Sequence, residues 1–98
     1  MMKRQNIVQN FTLSATAQLS SAFSSQTRSV LITASSTGAN MGGAFILFGD
    51  STGITATSSN GTLFPAPWVE TFDVTAGQRI SVIEASTSHG TLSVTELA

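Results

Sequence analysis

The chain has 98 residues, which suits one domain and leaves no room for two. Charged residues make up only 9% of it and the net charge is −1, so it offers no electrostatic attraction to nucleic acid or to an anionic membrane. It has no cysteine, which excludes a disulfide framework and a thiolate metal site. The polar part is mostly Ser and Thr with Asn, Gln and Gly, a mixture that favours strands and turns over helices. A neutral β protein of this kind is prone to association at its sheet edges, so much of its surface is expected to meet other protein.

Met1-Met2-Lys3-Arg4 has the basic start of a signal peptide, but Gln5, Asn6, Gln9 and Asn10 interrupt the apolar run that would have to follow, and none is expected. No apolar run approaches the length of a membrane span. Residues 1–10 read as an N-terminal arm or strand that carries half of the basic charge, with Ile7 and Val8 as candidate interface residues. From Ile7 to Ala17 the chain alternates: Phe11, Leu13 and Ala15 point one way and Thr12, Ser14 and Thr16 the other, which predicts a strand with one buried face. Ser20 to Gln26 is Ser-rich and reads as an exposed connection. In the next strand, Arg28 to Ser35, Val30, Ile32 and Ala34 share a face.

The loop from Thr37 to Gly43 contains three glycines, yet no lysine or helix start follows to make it a phosphate cradle. Phe45 to Phe48 is apolar on both faces. It fits either a central strand packed on both sides or one whose outer face meets another subunit, which makes Phe45 and Leu47 interface candidates. Gly49 to Gly53 is a turn cluster, Ile54 to Ser58 reads as a short strand, and Asn60-Gly61 is a hairpin-turn signal.

The strongest pattern runs from Leu63 to Ser86. Pro65 and Pro67 precede the extended run Trp68–Val74. Thr75–Gln78 supplies a turn, and Arg79–Ala85 is a second extended run, so the pair reads as a β-hairpin. Phe72, Val74, Ile80 and Val82 are the expected core residues. A turn at Thr87–Gly90 and a last strand, Thr91 to Leu97, with Leu92 and Val94 inward, complete the chain. Seven to eight short strands predict an all-β fold, a single small antiparallel β-sandwich of jelly-roll or immunoglobulin-like type.

Chemistry-bearing residues are sparse. The only histidine, His89, sits in a predicted turn with no pattern tying it to a Ser or Asp, and reads as an exposed turn residue. Asp50 and Asp73 flank turns; they could help bind a hard cation, but without a recognised spacing turn capping is the better reading. Asn10-Phe11-Thr12 and Asn60-Gly61-Thr62 match the glycosylation sequon, a match discounted without a signal peptide. Trp68 either covers one end of the core or is offered to a sugar ring or a partner's pocket. No catalytic residue, cofactor or metal is expected, and the chain reads as a non-enzyme.

Several segments carry a resemblance in their order and spacing. They are the strand ending in Phe48-Gly49-Asp50, the stretch Phe64-Pro65-Ala66-Pro67 leading into Val69-Glu70-Thr71-Phe72, the turn Ala76-Gly77-Gln78-Arg79 into Ile80-Ser81-Val82-Ile83, and the ending Gly90-Thr91-Leu92-Ser93-Val94-Thr95-Glu96-Leu97. Together, from about Arg28 to Leu97, they resemble small β-sandwich structural proteins of tailed bacteriophage particles. Related chains often have Leu-Pro-Ala-Gly where this one has Phe64-Pro65-Ala66-Pro67, and Trp68 departs from their pattern. The resemblance implies a virion component, foremost a capsid decoration (cement) protein that clamps and stabilises the shell. It would be made in the host cytoplasm and sit on the capsid surface, bound to the major capsid protein or another virion protein. Homo-oligomerisation, as a trimer, is also implied. The alternative is a carbohydrate-binding module of a tail or head spike or fibre, with Trp68 as its stacking platform.

Overall fold

The computed structural model describes residues 5–35, 43–85 and 90–97. The His89 turn and most of the three-glycine loop therefore lie outside the described residues. Eight strands follow in order: β1 (Gln5–Thr12), β2 (Gln18–Leu19), β3 (Ser29–Ser35), β4 (Ala44–Gly49), β5 (Thr62–Phe64), β6 (Trp68–Asp73), β7 (Arg79–Glu84) and β8 (Thr91–Leu97). They form two four-stranded antiparallel sheets, β1-β8-β3-β6 and β2-β7-β4-β5.

The pairings are nested. β1 takes β8, β2 takes β7, β3 takes β6 and β4 takes β5, as in one long antiparallel ribbon, and rolling the ribbon brings β8 onto β3 and β7 onto β4. That is the jelly roll. An immunoglobulin-like sandwich would pair its first two strands within one sheet, and here β1 and β2 lie in different sheets.

Alternation along each strand supplies the core. Val30, Ile32 and Ala34 of β3 face Leu92 and Val94 of β8 across the ladder, with Phe11 of β1 beside them. From the second sheet Ala44, Ile46, Phe64, Ile80 and Val82 close onto them, and all of these are buried. Ile80 and Val82 are fully buried, whereas Phe72 and Val74 are partly buried against the cluster.

The central hairpin is corrected by the structure. Both extended runs are strands and Thr75–Gln78 is a turn, but β6 pairs with β3 in one sheet and β7 with β2 and β4 in the other. Alternation reports which face of a strand is apolar and says nothing of its neighbour. Burying the two inner faces against each other places Phe72 on the rings of Phe48 and Phe64 across the sandwich, with centroids 5.6 and 6.1 Å apart. Gly77, at φ 88°, lets the turn serve as this corner.

Three further expectations change. Residues 54–58 form no strand and belong to the loop between β4 and β5. β1 ends at Thr12, so Ala15 leaves the face of Phe11 and Leu13 and is exposed. The Ser-rich segment after β2 is solvated only in part: Ser21, Ala22, Ser25 and Gln26 are exposed, but Ser20 and Phe23, with Thr27 just beyond, are buried.

Candidate interaction surface

Most of the exposed apolar surface gathers where the chain crosses from the edge strand β5 to the edge strand β6. Leu63, Trp68 and Val69 are 53%, 53% and 56% exposed, and Val8 is the other large hydrophobic side chain exposed among the described residues. Direct cross-strand partners share a face. Trp68 pairs with the buried Ala34 and Glu70 with the buried Ile32, so both lie on the core side of β6. They are exposed nonetheless. Further along the same side, Phe72 is covered.

The Trp68 ring is held in place by its own strand. Its Nε1–H donates to Glu70 Oε1 at 3.3 Å. Val69 pairs with Thr33 on the outer face. A shallow, mostly apolar groove of about 520 Å³ runs along Thr33, Ala34, Ser35, Pro67, Trp68 and Val69. The crossing itself contains a cis Ala66–Pro67 bond, and Gly43 supports it from below. A Cβ on Gly43 would overlap the Phe64 carbonyl oxygen, and its φ of 77° suits glycine alone.

The other candidate interface residues lie elsewhere. Phe45 and Leu47 are on the outer face of the second sheet, both half-buried. Phe45 stands in a row between Leu63 and Ile83. The loop after β4 folds back over this face: the buried Ala56 donates its N–H to Ser81 Oγ at 2.9 Å, and Ser81 is the cross-strand partner of Leu47. Gly61 comes so close to Phe45 that an added Cβ would lie 2.9 Å from the Phe45 Cβ. The chain's own loop therefore occupies part of the face offered to another subunit. Val8 is 41% exposed on β1, at the opposite edge of the first sheet from Trp68. Ile7 belongs to β1 by its backbone, and its side chain lies outside the described residues. The four described side chains thus fall on three separate surfaces.

Sequence reasoning passed over two features. Val69 lines the groove with Trp68, and Leu63 is exposed beside Phe45 on the outer face of the second sheet; both lie on edge strands, which alternation does not reveal. Glu96 is fully buried: it pairs with Val30, and its Oε1 accepts from Ser24 N–H at 2.9 Å and from the Thr27 hydroxyl at 2.6 Å. The signal was present, since Leu92, Val94 and Glu96 occupy one phase of the last strand. Asp50 is exposed and its Oδ1 accepts from Gln78 Nε2 at 3.5 Å. No group of three His, Asp or Glu that could hold a metal ion occurs among the described residues.

Compared with known proteins, the chain matches no protein family, no curated protein and no solved structure.

Proposed function

We propose that this chain is a non-enzymatic structural protein of a phage virion, a capsid decoration protein that attaches to the shell through protein–protein contacts. The observation that carries the reading is the apolar corner at the β5–β6 crossing. Trp68 and Val69 are offered to solvent along one groove with only Glu70 charged beside them, and Leu63 is exposed just before the crossing, on the outer face of the second sheet. Interface cores are enriched in aromatic residues and depleted of charge. The jelly roll supports the reading by analogy of fold, since it recurs in capsid domains. The sequence resemblance from Arg28 to Leu97 points the same way.

A clamp across subunit joints requires surface rather than chemistry, and the corner supplies a hydrophobic anchor on a rigid edge. The test mixes purified protein with undecorated heads and measures occupancy and the heat resistance of the shells. Wild-type protein should saturate the heads and raise the temperature at which they rupture. The double variant Trp68→Ser, Val69→Ser should bind at least tenfold more weakly, about 1.4 kcal/mol.

One observation favours a second reading, a carbohydrate-binding module of a spike or fibre. Lectins also use the jelly roll, and an exposed Trp68 ring beside the Glu70 carboxylate offers a stacking face next to a hydrogen-bond acceptor. Trp68 is the only tryptophan, so its fluorescence reports on this site alone. A saturable fluorescence change with host glycan, together with no binding to heads, would select the module.

A further inference from the structure

We infer that two copies of this chain pair edge to edge through β1, about a twofold axis at Asn10. The inference starts from the four sheet edges. β2 and β5 are two and three residues long, too short to template a partner strand. β6 is longer but carries Glu70 and Asp73, and self-pairing would bring like charges together. β1 spans Gln5–Thr12, QNIVQNFT, with no charged residue and no proline. Charges and prolines are the devices by which proteins blunt an open edge. In a twofold pairing the edge meets its own copy, so it must carry no net charge of its own. Among these edges only β1 meets both conditions.

The backbone shows which groups are on offer. Leu13 N–H donates to Gly90 O at 2.9 Å, which continues the register Phe11↔Leu92 and Gln9↔Val94. In an antiparallel ladder alternate residues turn their N–H and C=O to the neighbour. Phe11 and Gln9 therefore face β8, and Val8, Asn10 and Thr12 turn their backbone groups to the open side. Gln18 Nε2 donates to the Thr12 carbonyl at 2.6 Å, as this phase requires, and leaves that oxygen a second lone pair.

The register follows from the same strand. The ladder is irregular between Gln5 and Val8 and regular from Val8 to Thr12, and the centre of the regular part is Asn10. An antiparallel mate that uses the whole regular part sets Asn10 against Asn10 and Val8 against Thr12. Val8 and Thr12 lie on the outer face with the side chains of Thr95 and Thr91, so the pairing covers the exposed Val8 with a threonine methyl. At the axis Asn10 Oδ1 already accepts from the Ser93 hydroxyl at 2.6 Å, and its amide NH₂ remains to donate to its mate. The first sheets of the two copies then run together as one. β6 is the far edge of that sheet, so a β1-paired dimer leaves both apolar corners open at its ends. The inference stands whether or not the virion reading holds.

A cysteine at the axis tests it directly. Hydrogen-bonded antiparallel partners have Cα atoms about 5.5 Å apart, within the range a disulfide spans. The chain has no other cysteine, so any cross-link reports that position. Full-length Asn10→Cys should form a covalent dimer under mild oxidation, and Thr71→Cys, exposed on the opposite edge, should not. By sedimentation, wild-type protein should be a reversible dimer. Asn10→Lys, which sets a lysine against its own mate, should raise the dissociation constant at least about tenfold while leaving circular dichroism and melting of the monomer unchanged. A wild-type monomer at millimolar concentration would overturn the inference. So would a trimer indifferent to Asn10→Lys, or cross-linking through Thr71→Cys with none through Asn10→Cys.

Discussion

Three crossings carry the chain from the second sheet to the first, and two of them, β2 to β3 and β5 to β6, differ in a way their compositions would not suggest. The first, residues 20–28 between β2 and β3, is rich in serine and is closed. The second, residues 65–67 between β5 and β6, is Pro-Ala-Pro flanked by large apolar side chains and is open. In the first, Phe23 plugs the end of the core, its N–H donates to Gln78 O at 2.8 Å, and its carbonyl accepts from Gly77 N–H at 3.0 Å. Ser20 Oγ accepts from Ile80 N–H, and Glu96 accepts from Ser24 and Thr27. Ser20, Ser24 and Thr27 can be buried or half-buried there because each finds a partner, and of the Glu96 carboxylate only Oε2 is left without one. In the second, Phe64 and Ala66 turn inward, but among the described residues Leu63, Trp68 and Val69 remain more than half exposed. The closed crossing serves stability, and the open one leaves apolar side chains to solvent.

The comparison can be broken most forcefully at Phe23. Phe23→Ala removes the plug and should cost about 3–5 kcal/mol, read as a lower denaturant midpoint with an unchanged slope. A loss below about 1 kcal/mol would mean that the crossing is not sealed by this ring.

Glu96→Ala should cost about 2–3 kcal/mol, because the Ser24 N–H and the Thr27 hydroxyl lose a charged acceptor in a buried place. Glu96→Gln sharpens the point. Its amide oxygen keeps both donors, and the Oε2 position it fills with an NH₂ group has no hydrogen-bond partner now. It should lose less than Glu96→Ala. Equal losses would show that the charge itself matters.

Thr27→Val keeps the shape and removes one donor, at a cost of about 1–2 kcal/mol. The smallest effect belongs to the open crossing. Trp68→Ser with Val69→Ser should shift the unfolding free energy by less than about 0.5 kcal/mol, since exposed side chains contribute little to it. The same double variant should weaken attachment to heads. A large loss of stability would return these residues to a structural role.

The closed crossing also marks where sequence reasoning stopped. Its serines suggested a solvated loop, and only the fold brings Glu96, some seventy residues away, beneath Ser24. Phe23 carried a signal of its own, a large ring amid serines. At the open crossing, Trp68 was singled out from its position after Pro-Ala-Pro. Its exposure on the core side of an edge strand follows from which strands are neighbours, which its own strand does not state.

The sequence by itself determined the class of fold. Alternation in Arg28–Ser35, Arg79–Glu84 and Thr91–Leu97, together with turn residues at short intervals, specifies strands with one apolar face, and such strands in number bury those faces in a sandwich or a barrel. It also determined most of the core, because the phase of each strand sets which side chains turn inward. The tertiary structure alone decided which strands are neighbours. Period-two alternation is indifferent to the partner, so β6 and β7, consecutive and joined by a good turn, could separate into different sheets once Phe72 found Phe48 and Phe64 across the core. The sheet edges, the uncovered Trp68 and the open backbone of β1 are consequences of that choice of neighbours. No single strand contains the information that makes it.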